Sequence, residues 1–431
     1  MTPQSTFMVV APIAADRRAE LETLLASMNS RSCIADPANS LVPFGAFDRL
    51  HVARFVILDP QTAGDIAVYG GKPAPWEPAL AFLGDCDGPE DTFLDELVAR
   101  AGPGLRRIFA HCRGFMPEVD LRYWMLTHSV RPNAVYVNWI GRTVTMIRED
   151  AALRTALVAK AHELAAEALP PARRRDRLHA FVDAERQRGQ LRLTPEPPTP
   201  LDRRAAELLD LIAIPILLLV TAPLLVLASP VLIVMLRSRE TSDPEIAPRP
   251  ELERIRELAE QEDHDFTNQF SAMGDLKPGL FRRTLVIVFL RLLHWSSRHI
   301  YRRGYLTRVQ TIHFARWVLL DDGRRLFFGS NYDGSLESYM DDFINKVAWG
   351  INLVFGNGVG FPTVRWLLRG GAKREQQYKR YLRRHQLPTQ VWYKAYPDLS
   401  VADLNRNTRI RRGVDRRGMG ERETLAWLAL L

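Results

Sequence analysis

Apolar and polar positions follow two rhythms along this chain, and the same succession of rhythms occurs twice. Branched and aromatic residues crowd Thr6–Ile13, Leu50–Leu58, Ala79–Gly84 and Asn133–Trp139, the composition of strands. Between them, Leu21, Leu24, Leu25 and Met28 recur at helical spacing within Asp16–Met28, and Glu90–Ala110 reads as a second helix. The second half predicts the same order. Strand Phe266–Met273 is followed by helix Pro278–Tyr301, then by Thr311–Leu320 and Arg325–Gly329 as a hairpin turning at Asp321–Arg324. Helix Ser335–Phe355 and strand Gln390–Tyr396 complete it. Asp150–Glu167 and Val401–Arg412 close the two copies as helices, and Val364–His385 reads as an extra basic helix.

The repetition reaches individual residues. His51–Asp59 (HVARFVILD) returns as His313–Asp321 (HFARWVLLD), identical at six of nine positions. Leu80–Phe115 aligns without a gap on Leu326–Phe361, keeping Phe82/Phe328, Asp87-Gly88/Asp333-Gly334 and Gly104/Gly350. Pro132–Trp139 lies against Pro388–Ala395. Such order-preserving echoes mark an internal duplication. Each copy has the order β-α-β-β-α-β, the split βαβ of a ferredoxin-like unit. The expected fold class is therefore α+β, with two ferredoxin-like repeats facing each other as a pseudo-dimeric α+β barrel. Residues 1–187 hold the first repeat with its closing helices, 188–262 a linker, and 263–431 the second repeat with a basic C-terminal region.

The linker is of different material. Arg188–Pro200 and Ser238–Pro250 are proline-rich, and Glu251–Glu262 reads as a short charged helix. Leu211–Leu236 has no charge over 26 residues. One membrane crossing needs roughly 20 apolar residues and two need roughly 40. A single crossing would separate two repeats that are expected to pack together. Pro215, Pro223 and Pro230 each remove a backbone donor. An apolar helical hairpin turning near Thr221-Ala222-Pro223, inserted between the repeats and dipping into one leaflet, satisfies these constraints. A packed core helix and a single span are the competing readings. Arg203-Arg204 and Arg237 with Arg239 flank the segment, which places both ends on the cytoplasmic face of the cell membrane.

Charge adds to that picture. The net charge is +8, and Lys277–Arg316 carries nine Lys/Arg and no acid around the apolar run Thr284–Trp295. Basic and apolar residues on one helix suit an anionic membrane surface, or a core helix with solvated ends. Arg365–Arg417 carries fifteen Lys/Arg against four acids, and nucleic-acid binding through this basic C-terminal region is a further alternative. The region has no aromatic-interleaved or helix-turn-helix pattern, so that alternative ranks last and no nucleic-acid partner is expected. Three cysteines argue for a reducing compartment, and the N-terminus lacks the features of a cleavable signal. No zinc spacing, P-loop or nucleophile elbow occurs, and Gly356–Gly360 follows a helix rather than a strand, so it is no dinucleotide loop.

The strand motif His-x-Ala-Arg supplies candidate chemistry: His51 with Arg54, and His313 with Arg316. Residues three apart on a strand face opposite sides, so both can enter one cavity only through a bulge. Asp87 and Asp333 stand where a strand gives way to a helix, where a carboxylate stays ionised. Occurrence in both copies also fits a purely structural role for all of them.

A duplicated ferredoxin-like unit resembles the dimeric α+β barrel superfamily, which includes dye-decolourising peroxidases and chlorite dismutase-like proteins. Gly84-Asp-Cys-Asp87-Gly88 is similar to the Gly-x-x-Asp-Gly motif of the peroxidases, whereas Gly329–Gly334 has one residue too many. The resemblance covers Thr6–Trp139 and Phe266–Tyr396 as architecture. It implies haem as a cofactor, with Asp87, Arg54, Arg316 and Asp333 handling peroxide. The iron would then be held by one of several histidines, with His313, His385 and His111 the candidates. No metal site apart from haem is implied. The reading that results is a membrane-associated protein that binds, and in the peroxidase reading oxidises, a lipophilic small molecule reached from membrane lipids. A non-enzymatic membrane scaffold or lipid-binding protein is the alternative.

Overall fold

The computed structural model describes the 431-residue chain except Met1, Arg302, Arg303, Thr307 and Arg417, so those three arginines of the basic blocks lie outside the described residues. The first repeat contains β1 (Gln4–Pro12), α1 (Arg18–Ala26), β2 (Leu50–Leu58), β3 (Ala79–Asp87), α2 (Glu90–Phe109) and β4 (Ala134–Val137), closed by α3 (Val144–Ala165). A long helix, α4 (Leu201–Ser242), joins it to the second repeat. There follow β5 (Thr267–Asp275), α5 (Leu280–His299), β6 (Ile312–Leu320), β7 (Arg325–Asp333), α6 (Leu336–Lys346), α7 (Ala348–Phe355), β8 (Thr389–Lys394) and α8 (Val401–Asp415). The mixed α+β class and the element order are those expected.

Two sheets face each other. One has the order β1-β3-β2-β8, widened to six strands by a short hairpin at residues 29–35; the other has the order β4-β6-β7-β5. Each last strand thus lies in the sheet of the other repeat. It starts at home: Ser129 bridges Val9 of β1, and Gln386 bridges Ala272 of β5. Pro132 and Pro388 then interrupt the chain, and proline cannot donate to a ladder. Beyond them, Ala134 pairs with Trp317 and Val391 with Phe55. The closed barrel expected from the duplication is not seen; single bridges link two open sheets at the corners.

Alternation along the strands sorts the side chains. Val56, Leu58 and Leu83 meet Val318, Leu320 and Phe327 between the sheets. Phe55, Phe82 and Leu97 fill the core beneath α1 and α2, while Phe328, Phe343 and Leu290 do so beneath α5 and α6. Outside these layers, α3 and α8 pack with helices Pro171–Gln187 and Glu421–Leu428 around Leu157, Leu178, Ile410 and Trp427.

Three local expectations are corrected. Ser335–Phe355 is two helices, because Val347 leaves the helical region at φ −137°. The basic segment Val364–His385 opens with a tiny hairpin and becomes α-helical only at Glu375. The hairpin at Thr221-Ala222-Pro223 is absent, since α4 stays helical through all three residues.

Candidate functional site

The residues singled out in the strand motif meet inside the molecule, not on its surface. A register shift between Leu50 and Val52, matched by one between Ile312 and Phe314, puts a bulge at each motif histidine. The bulge turns His51 and Arg54 towards the same space between the sheets, and likewise His313 and Arg316. Arg54 donates to Phe270 O and Ser330 O (2.9 Å each) and to Asn331 Oδ1; Arg316 donates to Phe7 O (2.8 Å), Gly84 O (3.1 Å) and Asp85 Oδ2 (2.6 Å). Gly84 and Asp85 align with Ser330 and Asn331, so each arginine clasps the same place in the opposite repeat. Burial, then the neighbouring Arg316, pulls the Arg54 guanidinium down to about 9, still charged at neutral pH.

Asp87 and Asp333 are joints rather than exposed acids. His51 Nε2 donates to Asp87 Oδ1 (2.9 Å), Tyr396 OH donates to His51 Nδ1 (2.9 Å), and Val144 N at the first turn of α3 donates to Asp87 Oδ2 (2.9 Å). Likewise His313 Nε2 donates to Asp333 Oδ1 (2.6 Å), and Val401 N of α8 to Asp333 Oδ2 (2.6 Å). Each carboxylate ties its strand to a helix N-terminus.

The candidate haem ligands are also engaged. His313 is buried among Asp333, Thr267 and Tyr396. His385 Nδ1 donates to Tyr381 O (2.8 Å), burial pushes its pKa down to about 4, and the cavity beside it is about 20 Å³, room for a water. His111 Nδ1 donates to Arg107 O (3.0 Å), and its Nε2 faces Glu20 at 3.7 Å beside an open surface groove. His313 and His385 turn no free nitrogen into a space that fits a macrocycle, whereas His111 Nε2 borders an open groove of about 760 Å³.

Two other features are unaccounted for by folding. The first is α4, long and apolar enough by composition to cross a membrane. Leu219, Val220, Val226 and Leu227 are each more than 70% exposed (75, 71, 72 and 78%). Both its ends are fastened to the second repeat. Trp295 Nε1 donates to Asp210 O (3.0 Å) and His299 Nε2 to Asp210 Oδ2 (2.8 Å). At the far end, Lys277 and Arg282 donate to Asp243 Oδ2 at 2.8 and 2.6 Å. Arg282 and Trp295 are thirteen residues apart on α5, about 20 Å, whereas a straight helix from 210 to 243 would measure about 50 Å. Side chains at full stretch add about 25 Å together. The helix therefore bends into an arch, and Pro215, Pro223 and Pro230 are where hydrogen bonds are missing.

The arch's second foot carries strain. Trp366 and Leu367 both adopt left-handed backbone (φ 58° and 50°), a costly conformation for such residues. Their successive amides donate to the buried Glu240 carboxylate at 2.9 and 2.8 Å. That turn leaves Trp366 and Leu368 exposed beside Arg237, whose guanidinium lies 4.9 Å from the Trp366 ring.

The second feature is a cavity of about 270 Å³ between α5, α6, α7 and the outer face of the β4-β6-β7-β5 sheet. Phe289, Leu293, Phe343 and Val354 wall it, and Trp317 and Phe328 form its floor. Its counterpart in the first repeat is full. A Cβ on Gly104 would collide with the Leu41 backbone, whereas one on the aligned Gly350 would meet nothing within 4 Å. The first repeat spends residues 27–49 between its first helix and second strand, and packs Leu41, Val42, Phe44 and Phe47 there. The second spends only 300–311. The sequence carried this signal as Gly104/Gly350 beside unequal connections. No protein-family model matches the chain, and no curated protein or solved structure matches it either.

Proposed function

We propose that this is a monotopic protein of the cytoplasmic membrane face that holds a lipophilic molecule in its second repeat. The observation that carries the reading is the contrast between Gly104 and Gly350: the space that the first repeat plugs with its own apolar chain is left open in the second. An apolar cavity of this size invites an apolar ligand. The arch supports a membrane source. With both feet on one body and about 25 Å of helix per limb, its apex cannot rise through a hydrocarbon core about 30 Å thick. Exposed Trp366 and Trp349 and the arginines at both feet suit the headgroup layer. The facing sheets with exchanged last strands are consistent with a flattened pseudo-dimeric α+β barrel. Binding rather than oxidation is proposed, because Arg54, Arg316, Asp87 and Asp333 are all committed to internal contacts.

Single cysteines placed at Glu196 and Glu251, on either side of α4, should react with an impermeant maleimide from the same side of sealed vesicles. Labelling from opposite sides would end the monotopic reading. Mass spectrometry of the purified protein should find a stoichiometric lipid that Gly350→Leu removes; equal lipid content in both would end the cavity reading.

A further inference from the structure

The lining of this cavity is mainly apolar: Leu293, Phe343 and Val354 face Trp317 and Phe328, and the Trp317 indole Nε1 has no accessible surface through which a ligand could reach it. A second cavity, of about 490 Å³, lies on the other flank of α5 and is polar. Arg131, Arg203 and Arg298 line it with His294, against the carboxylates of Glu90 and Glu207. Val135 N donates to His294 Nδ1 (3.3 Å), which leaves the ring proton on Nε2 as a donor. Burial, and then Arg298, lowers the His294 pKa, so that neutral tautomer persists. Glu90 accepts from Ser129 (3.4 Å), and burial raises its pKa.

The two cavities are neighbours. Tyr301, just past α5, lines both. Trp317 pairs with Ala134 of β4, and the next residues of that strand, Val135 to Val137, line the polar cavity. Both cavities therefore reach the end of α5 that holds the first foot of the arch through Asp210.

We infer that the ligand is a single-chain amphiphile with an anionic head: its chain fills the apolar cavity, and its head meets the arginines of the polar cavity. This rests on the lipophile-binding reading above. A cavity of about 150 Å³ admits benzene, so this one takes about ten carbon atoms.

Binding to the full chain in detergent tests it with four probes: lauroyl lysophosphatidate, lauric acid, dodecyl phosphate and lauroylcholine. The two anionic acyl probes should bind more tightly than lauroylcholine, and their ratio tells a phosphate head from a carboxylate. Arg298→Gln should weaken the anionic probes alone, and Gly350→Leu should weaken all four. Equal binding of lauroylcholine would overturn the anionic head, with the lipophile reading intact. If no probe binds and Gly350→Leu changes nothing, the lipophile reading itself falls. Unchanged melting temperatures separate these losses from misfolding.

Discussion

Arg54 and Arg316 bring two positive charges between the sheets, and one carboxylate, Asp85, meets them. Arg316 pairs with it directly, while Arg54 makes do with Asn331, carbonyls and the Trp392 ring at 5.1 Å. Removing one partner of a buried pair strands the other. Asp85→Asn should therefore cost about 3 kcal/mol in urea unfolding. Asn331→Asp, which restores the symmetry, should add about 1 kcal/mol. His385 is a second residue with a measurable consequence. Its pKa is about 4 when folded, from an ordinary value near 6.5, so between those pH values the unfolded chain binds the extra proton. Stability is fully present above the upper value and falls as pH drops towards 4, by up to roughly 3 kcal/mol. His385→Phe should flatten that stretch of a melting-temperature profile.

Among the elements, α4 and the turn at its second foot depend on each other. Prolines bend the helix, and Glu240 near its end holds Trp366 and Leu367 in left-handed backbone that they would otherwise leave. Glu240→Gln keeps one acceptor but loses the charge, and hydrogen bonds to charged groups contribute about 1.5–3 kcal/mol. The amides of Trp366 and Leu367 should then exchange hydrogen about tenfold faster or more, with those of the distant α2 unchanged. The basic segment after this turn was legible as charge but not as pairing. Lys379 reaches Glu337, Asp341 and Glu375, Arg383 reaches Glu262, and Arg384 reaches Asp65. Much of that charge holds helix Glu375–His385 in place.

For the whole molecule, exchange of the last strands makes the repeats interdependent. Each sheet takes a strand from the other half: β8 pairs with β2, and β4 with β6. The two clasping arginines cross the same interface. Residues 1–200 and 251–431 should accordingly fail to fold alone and assemble when co-expressed, giving one cooperative melt in the complex. A separate melt for either fragment by itself would contradict the interlock.

The order of elements, the duplication and the apolar segment were determined by the sequence alone, because side-chain periodicity and repeated motifs are local properties. His51 with Arg54 and His313 with Arg316 were visible as a motif, and so was the need for a bulge to bring them together. That the bulge exists, and that Asp87 and Asp333 fasten helix starts, was settled by partners far away in the chain: Val144, Tyr396 and Val401. Strand exchange was likewise out of reach, since alternation says which way a side chain faces but not which strand lies alongside. The arch needed its two feet, Asp210 and Asp243, to be found on one helix. The cavity was hidden most completely. It comes from chain that the second repeat lacks: the unequal connections beside Gly104/Gly350 show that difference in length in the sequence, but only the packing around Gly350 shows that the space stays open.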